Sequence, residues 1–292
     1  MSESNIAHVS DTAFMVAHAR ALESERPDAL FRDPLAGRLA GARGKAILEA
    51  FPTAPMTTWM VGIRTVVIDD FIRAALSRGV DTIINLGAGL DTRPFRLVLP
   101  RDVNWLEVDY PDVIRFKQER LAQETPRCRL QQVGLDLADL AGRRQLLTTA
   151  SEQAKRLLVL TEGVVPYLTV DAAASLADDL RALPRLDGWI VDYVSPESHK
   201  YRARAGVNRH MQQAPFQFQP PDWFGFFAQH GWGVREIRYL AERGAELGRQ
   251  APLPRRYRLL MSLLKRFTPA AQRGRFQKFA GYAVLEPTPA PS

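Results

Sequence analysis

The chain has 292 residues, 46% of them hydrophobic, with 39 Lys or Arg against 32 Asp or Glu and a formal charge of +7. Such a length accommodates one large α/β domain or a domain with a sizeable cap, and no uncharged apolar run approaches the roughly 20 residues of a membrane span. Cys128 is the only cysteine, which excludes an internal disulfide and a multi-cysteine metal site. With no signal-peptide pattern in MSESNIAHVSDTAF, a cytoplasmic location is expected.

Residues 1–79 show helical pattern without strand signal and read as a helical cap within a single domain. Its last segment, Thr57 to Gly79, reads as one helix ended by a C-terminal glycine. At about 100° per residue, Met60, Ile63, Val67, Phe71, Ala74 and Ala75 share one face. Arg64 falls inside that stripe, whereas Asp69, Asp70 and Arg73 fall outside it. An inward guanidinium is costly unless an anion or several acceptors meet it, so Arg64 is either a ligand-binding cation or part of an internal salt bridge.

Residues 80–195 alternate strand-like and helix-like segments. Strands are expected at Val80–Leu86, Val103–Val108, Arg129–Val133, Arg156–Leu160 and Gly188–Val194, with amphipathic helices between them. Asp171 is the expected N-cap of the helix in DAAASLADDLRALP. This alternation implies an α/β fold with a mostly parallel sheet covered on both faces. After Ser195 the chain turns polar and turn-rich, then gives a helix in PDWFGFFAQHGW, a strand in GVREIRYL and a last strand over 279–287. Residues 196–278 are therefore an excursion inside the domain that shapes the substrate site. Trp59, Phe216, Phe218, Trp223 and Phe224 suit either an apolar pocket or plain core.

Positive charge concentrates between Arg235 and Lys278, with 12 Lys or Arg against three Glu. A basic face could meet an acidic carrier protein, an anionic substrate or nucleic acid. No aromatics are interleaved in an RNA-binding pattern, so nucleic acid is not expected. A solvated surface is the plainer reading.

The chemistry concentrates in TIINLGAGLDTRPFRL, Thr82 to Leu97, and in Asp109, 22 residues after Gly87. A strand that stops at a glycine turn, with a second strand ending in a carboxylate, suits a nucleotide-cofactor crevice. Asp109, Asp136 and Glu162 follow strands, and Asp192 lies inside the fifth. Converging acids suit a ligand with hydroxyls, amines and a positive centre better than a pyrophosphate. The third glycine of a dinucleotide fingerprint is missing, and Asp91 would sit near where phosphate belongs. Both features favour S-adenosylmethionine over a nicotinamide cofactor. The five histidines are scattered; His199 and His210 would be the first candidates for a base were the acceptor a hydroxyl.

INLGAGLDTRPFRL, LEVDYPDVIRFKQERL and LTEGVVPYLT, with the upstream SDTAFMVAHARALE, LFRDPLAG and GIRTVVIDDFI, resemble the leucine carboxyl methyltransferase family from Ser10 to about Val194. The resemblance implies a Rossmann-like class I methyltransferase fold with a seven-stranded sheet, and S-adenosyl-L-methionine as cofactor. It implies cofactor contacts from Arg64, Gly87, Ala88, Gly89, Asp109, Tyr110, Asp136, Leu137, Glu162 and Gly163. Tyr167 resembles a tyrosine near the substrate carboxylate, so Arg64 and Tyr167 are the expected catalytic pair, with no metal. Family members acting on a protein phosphatase tail carry a lysine in the N-terminal segment, where this chain offers only Arg20. The expected substrate is therefore a small-molecule acid, free or carrier-bound, converted to a methyl ester. Alternatives are a hydroxyl or phenol acceptor, a protein C-terminal carboxylate, an NAD-dependent oxidoreductase and a non-catalytic binding protein.

Overall fold

A computed structural model describes residues 11–204, 214–252 and 275–289. Seven strands, β1 (Thr82–Leu86), β2 (Asn104–Asp109), β3 (Arg129–Gly134), β4 (Leu157–Thr161), β5 (Leu186–Val194), β6 (Trp232–Tyr239) and β7 (Ala280–Pro287), form one sheet in the order β3-β2-β1-β4-β5-β7-β6. The first five run parallel, and β7 lies antiparallel between β5 and β6. The sheet is mixed but mostly parallel, and the five strands expected in the core begin and end within two residues of their observed limits. β1, TIINL, is buried throughout, as a strand covered on both faces must be. Its neighbours β2 and β4 leave in opposite directions, which opens a crevice at the C-terminal ends of the central strands.

Helices α1 (Asp11–Ser24), α2 (Ala36–Ala50) and α3 (Ala54–Ser77) precede the sheet. α3 ends in the expected way. Gly79 has φ 87°, its N–H reaches Leu76 O at 3.0 Å and the Val80 N–H reaches Ala75 O at 3.2 Å. These two bonds form a glycine-terminated helix cap. Ile63, Val67, Ile68, Phe71, Ile72 and Ala75 of α3 pack on Ile83, Trp105, Leu158, Leu160, Ile190, Tyr282 and Val284 of the sheet. α3 thus spans from the sheet face to the crevice, with α1 and α2 against it.

α6 (Leu140–Gln153), α7 (Val170–Arg181) and α9 (Trp223–Gln229) cover the opposite face. The expected cap of α7 is corrected: the Thr169 side chain accepts from the Ala172 N–H at 3.1 Å, and Asp171 sits in the first turn. Both residues satisfy helix-start chemistry, one as cap and the other by its charge near the positive end of the dipole. The segment after β5 is also more regular than its polar composition suggests. α8 (Pro196–Arg204) begins at once, with the Ser195 hydroxyl accepting from the Ser198 N–H at 3.1 Å. A last short helix, α10 (Leu240–Glu246), follows β6.

The basic run after Arg235 is partly neutralised inside the fold. Arg235 pairs with Asp187 and Glu286, Arg238 and Arg243 both reach Asp70, and Arg249 reaches Glu23 and Asp28. These four guanidiniums tie the excursion to the sheet and to the N-terminal helices; residues 253–274 lie outside those described. No helix of the described residues is long and apolar enough to cross a membrane.

α5 (Pro111–Arg120) crosses β2 with a fully buried ion pair. Lys117 Nζ donates to both Glu107 oxygens at 2.8 and 2.7 Å, and Gln132 Nε2 donates to one of them at 2.8 Å. Burial pushes the Glu107 carboxyl above its ordinary value, with Lys117 opposing that rise. Removing one partner strands the other in a dry interior. Lys117→Met is expected to destabilise the protein by about 3–5 kcal/mol in urea unfolding, with Glu107→Leu added to it recovering much of the loss.

Candidate active site

The C-terminal ends of β1, β2 and β4 and the β5 carboxylate Asp192 border one cavity of about 670 Å³. Pockets that enclose small ligands run to roughly 300–1,000 Å³. Its wall contains Arg64, Gly87, Ala88, Gly89, Asp109, Tyr110, Asp136, Leu137, Glu162, Gly163 and Tyr167. The residues expected to contact the cofactor, and Tyr167, therefore border one cavity.

Backbone geometry at the glycine turn leaves room for no other residue. Gly87 has φ 68°, and a Cβ there would lie 2.4 Å from Val164 Cγ2. Its N–H and that of Ala88 reach Val108 O at 2.8 and 3.0 Å, which docks the turn on β2. The Gly89 N–H, at φ 49°, donates to Asp109 Oδ2 at 2.6 Å, and the Tyr110 N–H to Oδ1 at 2.7 Å. The turn and the β2 carboxylate thus position each other. Beyond them, Asp136 Oδ1 accepts from the Ala138 N–H at 2.9 Å. Leu137 O accepts from Arg143 at 2.9 Å. Partial burial, with Asp136 and Asp109 beside it, raises the Tyr110 phenol.

Arg64 enters from α3, its side chain 18% exposed, with Nε 2.9 Å from Glu162 Oε1. The contact is electrostatic: neither atom has a well-aligned hydrogen-bond partner. Burial opposes the Arg64 charge, but Tyr282, Glu162, Asp192 and Tyr167 outweigh it and hold the guanidinium above its ordinary pKa. Glu162 is held low despite burial by Arg93 and Arg64.

Beneath the turn lies a chain of charges that the sequence did not reveal. Arg93 is 1% exposed and bonds Asp69 at 2.7 Å, Asp91 at 2.8 Å and Glu162 at 2.7 Å. Arg96 donates to both Asp69 oxygens at 2.6 and 2.8 Å. Asp69, which lies outside the apolar stripe of α3, is nevertheless buried at 1%, because two arginines from the α4 turn (Arg93–Arg96) reach it. Asp91 lines the crevice beside the turn, where Arg93 and Asn85 Nδ2, the latter at 2.9 Å, take up its carboxylate and Arg93 holds it low against burial.

Arg20 of α1 joins the same system through Asp33 at 3.0 Å, and Asp33 also accepts from Thr92 at 2.7 Å. Two further residues extend the site: Asp192 of β5 and Tyr282 of β7, joined by a 2.6 Å hydrogen bond. Arg93 was legible as part of LDTR but not as its centre, and no local signal links Tyr282 to Asp192 across 90 positions. Of the five aromatics considered, only Phe216 lines the cavity. Phe218 and Trp223 are core, Trp59 of α3 packs against the core with its Nε1–H donating to Arg249 O at 2.9 Å, and Phe224 is exposed. His199 packs near Phe216 at 6.3 Å without lining the cavity, and His210 lies outside the described residues.

A protein-family model described as leucine carboxyl methyltransferase matches residues 13–181. The chain belongs to the leucine carboxyl methyltransferase family. Relatives extend over most of its length. A protein of Parafrankia sp. with the provisional name S-adenosyl-L-methionine-dependent methyltransferase is 33% identical over 255 residues, covering 80% of each chain. One of Frankia alni with the same provisional name is 32% identical, over 85% of this chain and 91% of its own. Among solved structures, a provisionally named methyltransferase from Thermobifida fusca YX shares the fold with a TM-score of 0.59 at 10% identity, covering 98% of this chain and 96% of that one. A DUF574 family protein from Streptomyces avermitilis gives 0.57 at 14%, covering 95% and 97%. Methyltransferases of this family use S-adenosyl-L-methionine, and this chain is an S-adenosylmethionine-dependent methyltransferase.

The crevice fits that cofactor by its chemistry. It offers carboxylates for hydroxyls and an amine, apolar Leu135 and Leu137 for a base, and a turn whose Gly87 has no room for a Cβ. Asn85 Oδ1, Arg64 Nε and Glu162 Oε1 are buried polar atoms without an aligned hydrogen bond, the last two facing each other at 2.9 Å.

The glycine turn and its ionic support should fail separately. Gly87→Ala meets both positive φ and Val164, so S-adenosylhomocysteine affinity measured by calorimetry should fall at least about tenfold, at a strain of roughly 1–3 kcal/mol. Arg93→Lys replaces a fork serving three carboxylates with one point charge, and should lower stability by about 3–5 kcal/mol in urea unfolding.

Proposed function

We propose that the chain transfers a methyl group from S-adenosylmethionine to a carboxylate oxygen of a small molecule, forming a methyl ester. The observation that carries this reading is the Arg64 guanidinium. It lies in the wall of the cofactor crevice, largely buried, with no aligned hydrogen bond to its neighbour Glu162.

In this reading Asp109 accepts from the ribose hydroxyls, and Asp136, Leu137 and Tyr110 border the adenine. Gly87, Ala88 and Gly89 lie against the amino-acid part, with Glu162 and Gly163 closing the opposite wall. When bound, the cofactor supplies an electrophilic methyl carbon on a sulfonium. The acceptor needs no general base, because a carboxylic acid with a pKa of about 4 is ionised at neutral pH. What remains for the protein is alignment and exclusion of water. Arg64 and Tyr167 orient the acceptor carboxylate, the guanidinium by a charge-assisted contact and the phenol by its hydroxyl. Met15, Val16, Phe51, Val61 and Phe216 wall the same cavity with apolar surface, which favours an apolar acid over a sugar acid or a charged peptide tail. Tyr167 and Phe216 meet edge to face at 5.0 Å, fixing the phenol in place.

Incubation with methyl-labelled cofactor and a panel of carboxylic acids, phenols and amines tests the reading. Label released by mild base identifies an ester, whereas base-stable label on a phenol or amine would replace the carboxylate with another acceptor. Arg64→Ala should lower kcat/KM by about 10- to 100-fold, the worth of a hydrogen bond to a charged group, with an unchanged circular-dichroism spectrum.

A further inference from the structure

Two carboxylates flank Arg64, and they are held differently. Glu162 has Arg93 Nη1 at 2.7 Å as well as Arg64 at 2.9 Å. Asp192 is 8% exposed and forms no ion pair among the described residues. Its Oδ1 accepts from the Tyr282 hydroxyl at 2.6 Å, and its two oxygens accept from the Gly163 N–H at 3.2 and 3.0 Å. Neutral donors alone hold it, yet it lines the same cavity as Arg64, Tyr167 and Tyr282.

The charges beneath the crevice are otherwise balanced. Arg20, Arg64, Arg93 and Arg96 are linked through Asp33, Asp69, Asp91 and Glu162. Of the two carboxylates beside Arg64, Glu162 is matched within this system and Asp192 has no guanidinium of its own among the described residues. A ligand carboxylate arriving at Arg64 would place a second surplus anion in a largely dry site, and two like charges at close range are relieved when one binds a proton.

We propose that Asp192 takes up a proton from solvent when a ligand carboxylate settles against Arg64, and donates it as a hydrogen bond to that carboxylate. The proton balance is simple: two carboxylates and one proton become one hydrogen-bonded pair carrying a single negative charge. This inference rests on Arg64 as the carboxylate-holding residue of the proposed function. The charged and titratable groups facing Asp192 are Tyr282 from β7, Arg64 from α3 and Glu162 after β4. Burial already pushes the Asp192 carboxyl up to about 6, although Tyr282, Arg64 and the Gly163 N–H pull it down; Glu162 adds to the rise. In the free protein at neutral pH it is ionised, but little is needed to protonate it. The carboxylate has two sources of one chemistry, the acceptor acid and the amino-acid end of the cofactor.

Calorimetry in buffers of different ionisation enthalpy at about pH 7.5 counts protons taken up on binding. One arm titrates S-adenosylhomocysteine into the protein; the other titrates phenylacetate into protein saturated with S-adenosylhomocysteine. Uptake of about one proton is expected in at least one arm, and that arm names the source. The uptake should fade as the starting pH is lowered through the Asp192 value, because the group is then protonated beforehand. Asp192→Asn should bind with no uptake. Tyr282→Phe removes the bond that favours the ionised form, so the pH at which uptake fades should move upward. Absence of buffer-dependent heat in both arms, or the same uptake in Asp192→Asn, overturns the proposal. If the homocysteine arm shows Asp192-dependent uptake while no acid in the labelled panel is methylated, the ester reading fails and this one stands.

Discussion

Arg93 is the residue on which the crevice is built. One guanidinium, wholly enclosed, bonds carboxylates from α3, from the glycine turn and from the end of β4. Those three segments are far apart in the chain, and this one side chain joins them. A buried ion network of this kind is a poor source of stability, since desolvation consumes much of the Coulomb gain. Its value lies in geometry: the fork admits few arrangements of its partners, so the turn, α3 and the β4 end are held in one mutual placement. Arg64 is positioned through it as well, because Glu162 is shared between the two arginines.

This network suits a charge-rich site to a cationic cofactor and, in the proposed reaction, to an anionic acceptor beside it. The carboxylates that face the crevice are anchored by backbone N–H groups, as Asp109 is by Gly89 and Tyr110. The carboxylates beneath it are matched by guanidiniums. Hydrogen-bonding capacity toward a nucleoside is thus kept apart from the charge that organises the floor, and preorganisation of this sort reduces what binding must spend on ordering side chains.

Much of the fold was legible because its signals are local. A buried β-branched run, a glycine after α3 and carboxylates at strand ends each follow from a few adjacent residues, and the strands fell within two residues of expectation. The residues gathered around the cavity were found for the same reason: a sheet with this connectivity brings its strand ends together. What escaped depends on partners distant in the chain. Asp69 lies off the apolar stripe of α3 and looks solvated until Arg93 and Arg96 are seen to cover it. Asp91 was read as an obstacle to phosphate, when its charge is spent on Arg93 and Asn85. Thr169 displaced Asp171 as the cap of α7 because two adequate candidates stood within three positions, and only backbone direction chose between them. The basic run looked like an outward face, whereas four of its arginines are internal ties.

The placement of β7 has a temporal side. It is the last strand in the chain, yet it occupies an interior position in the sheet, with β5 on one side and β6 on the other. During synthesis both flanking strands emerge first, and each must wait with an unsatisfied hydrogen-bonding edge until residues 280–287 leave the ribosome. Tyr282, which completes the wall beside Asp192, arrives with that strand. Nascent chains are therefore without a finished pocket until β7 has emerged, and termination before residue 280 would remove Tyr282 and sheet closure in a single stroke.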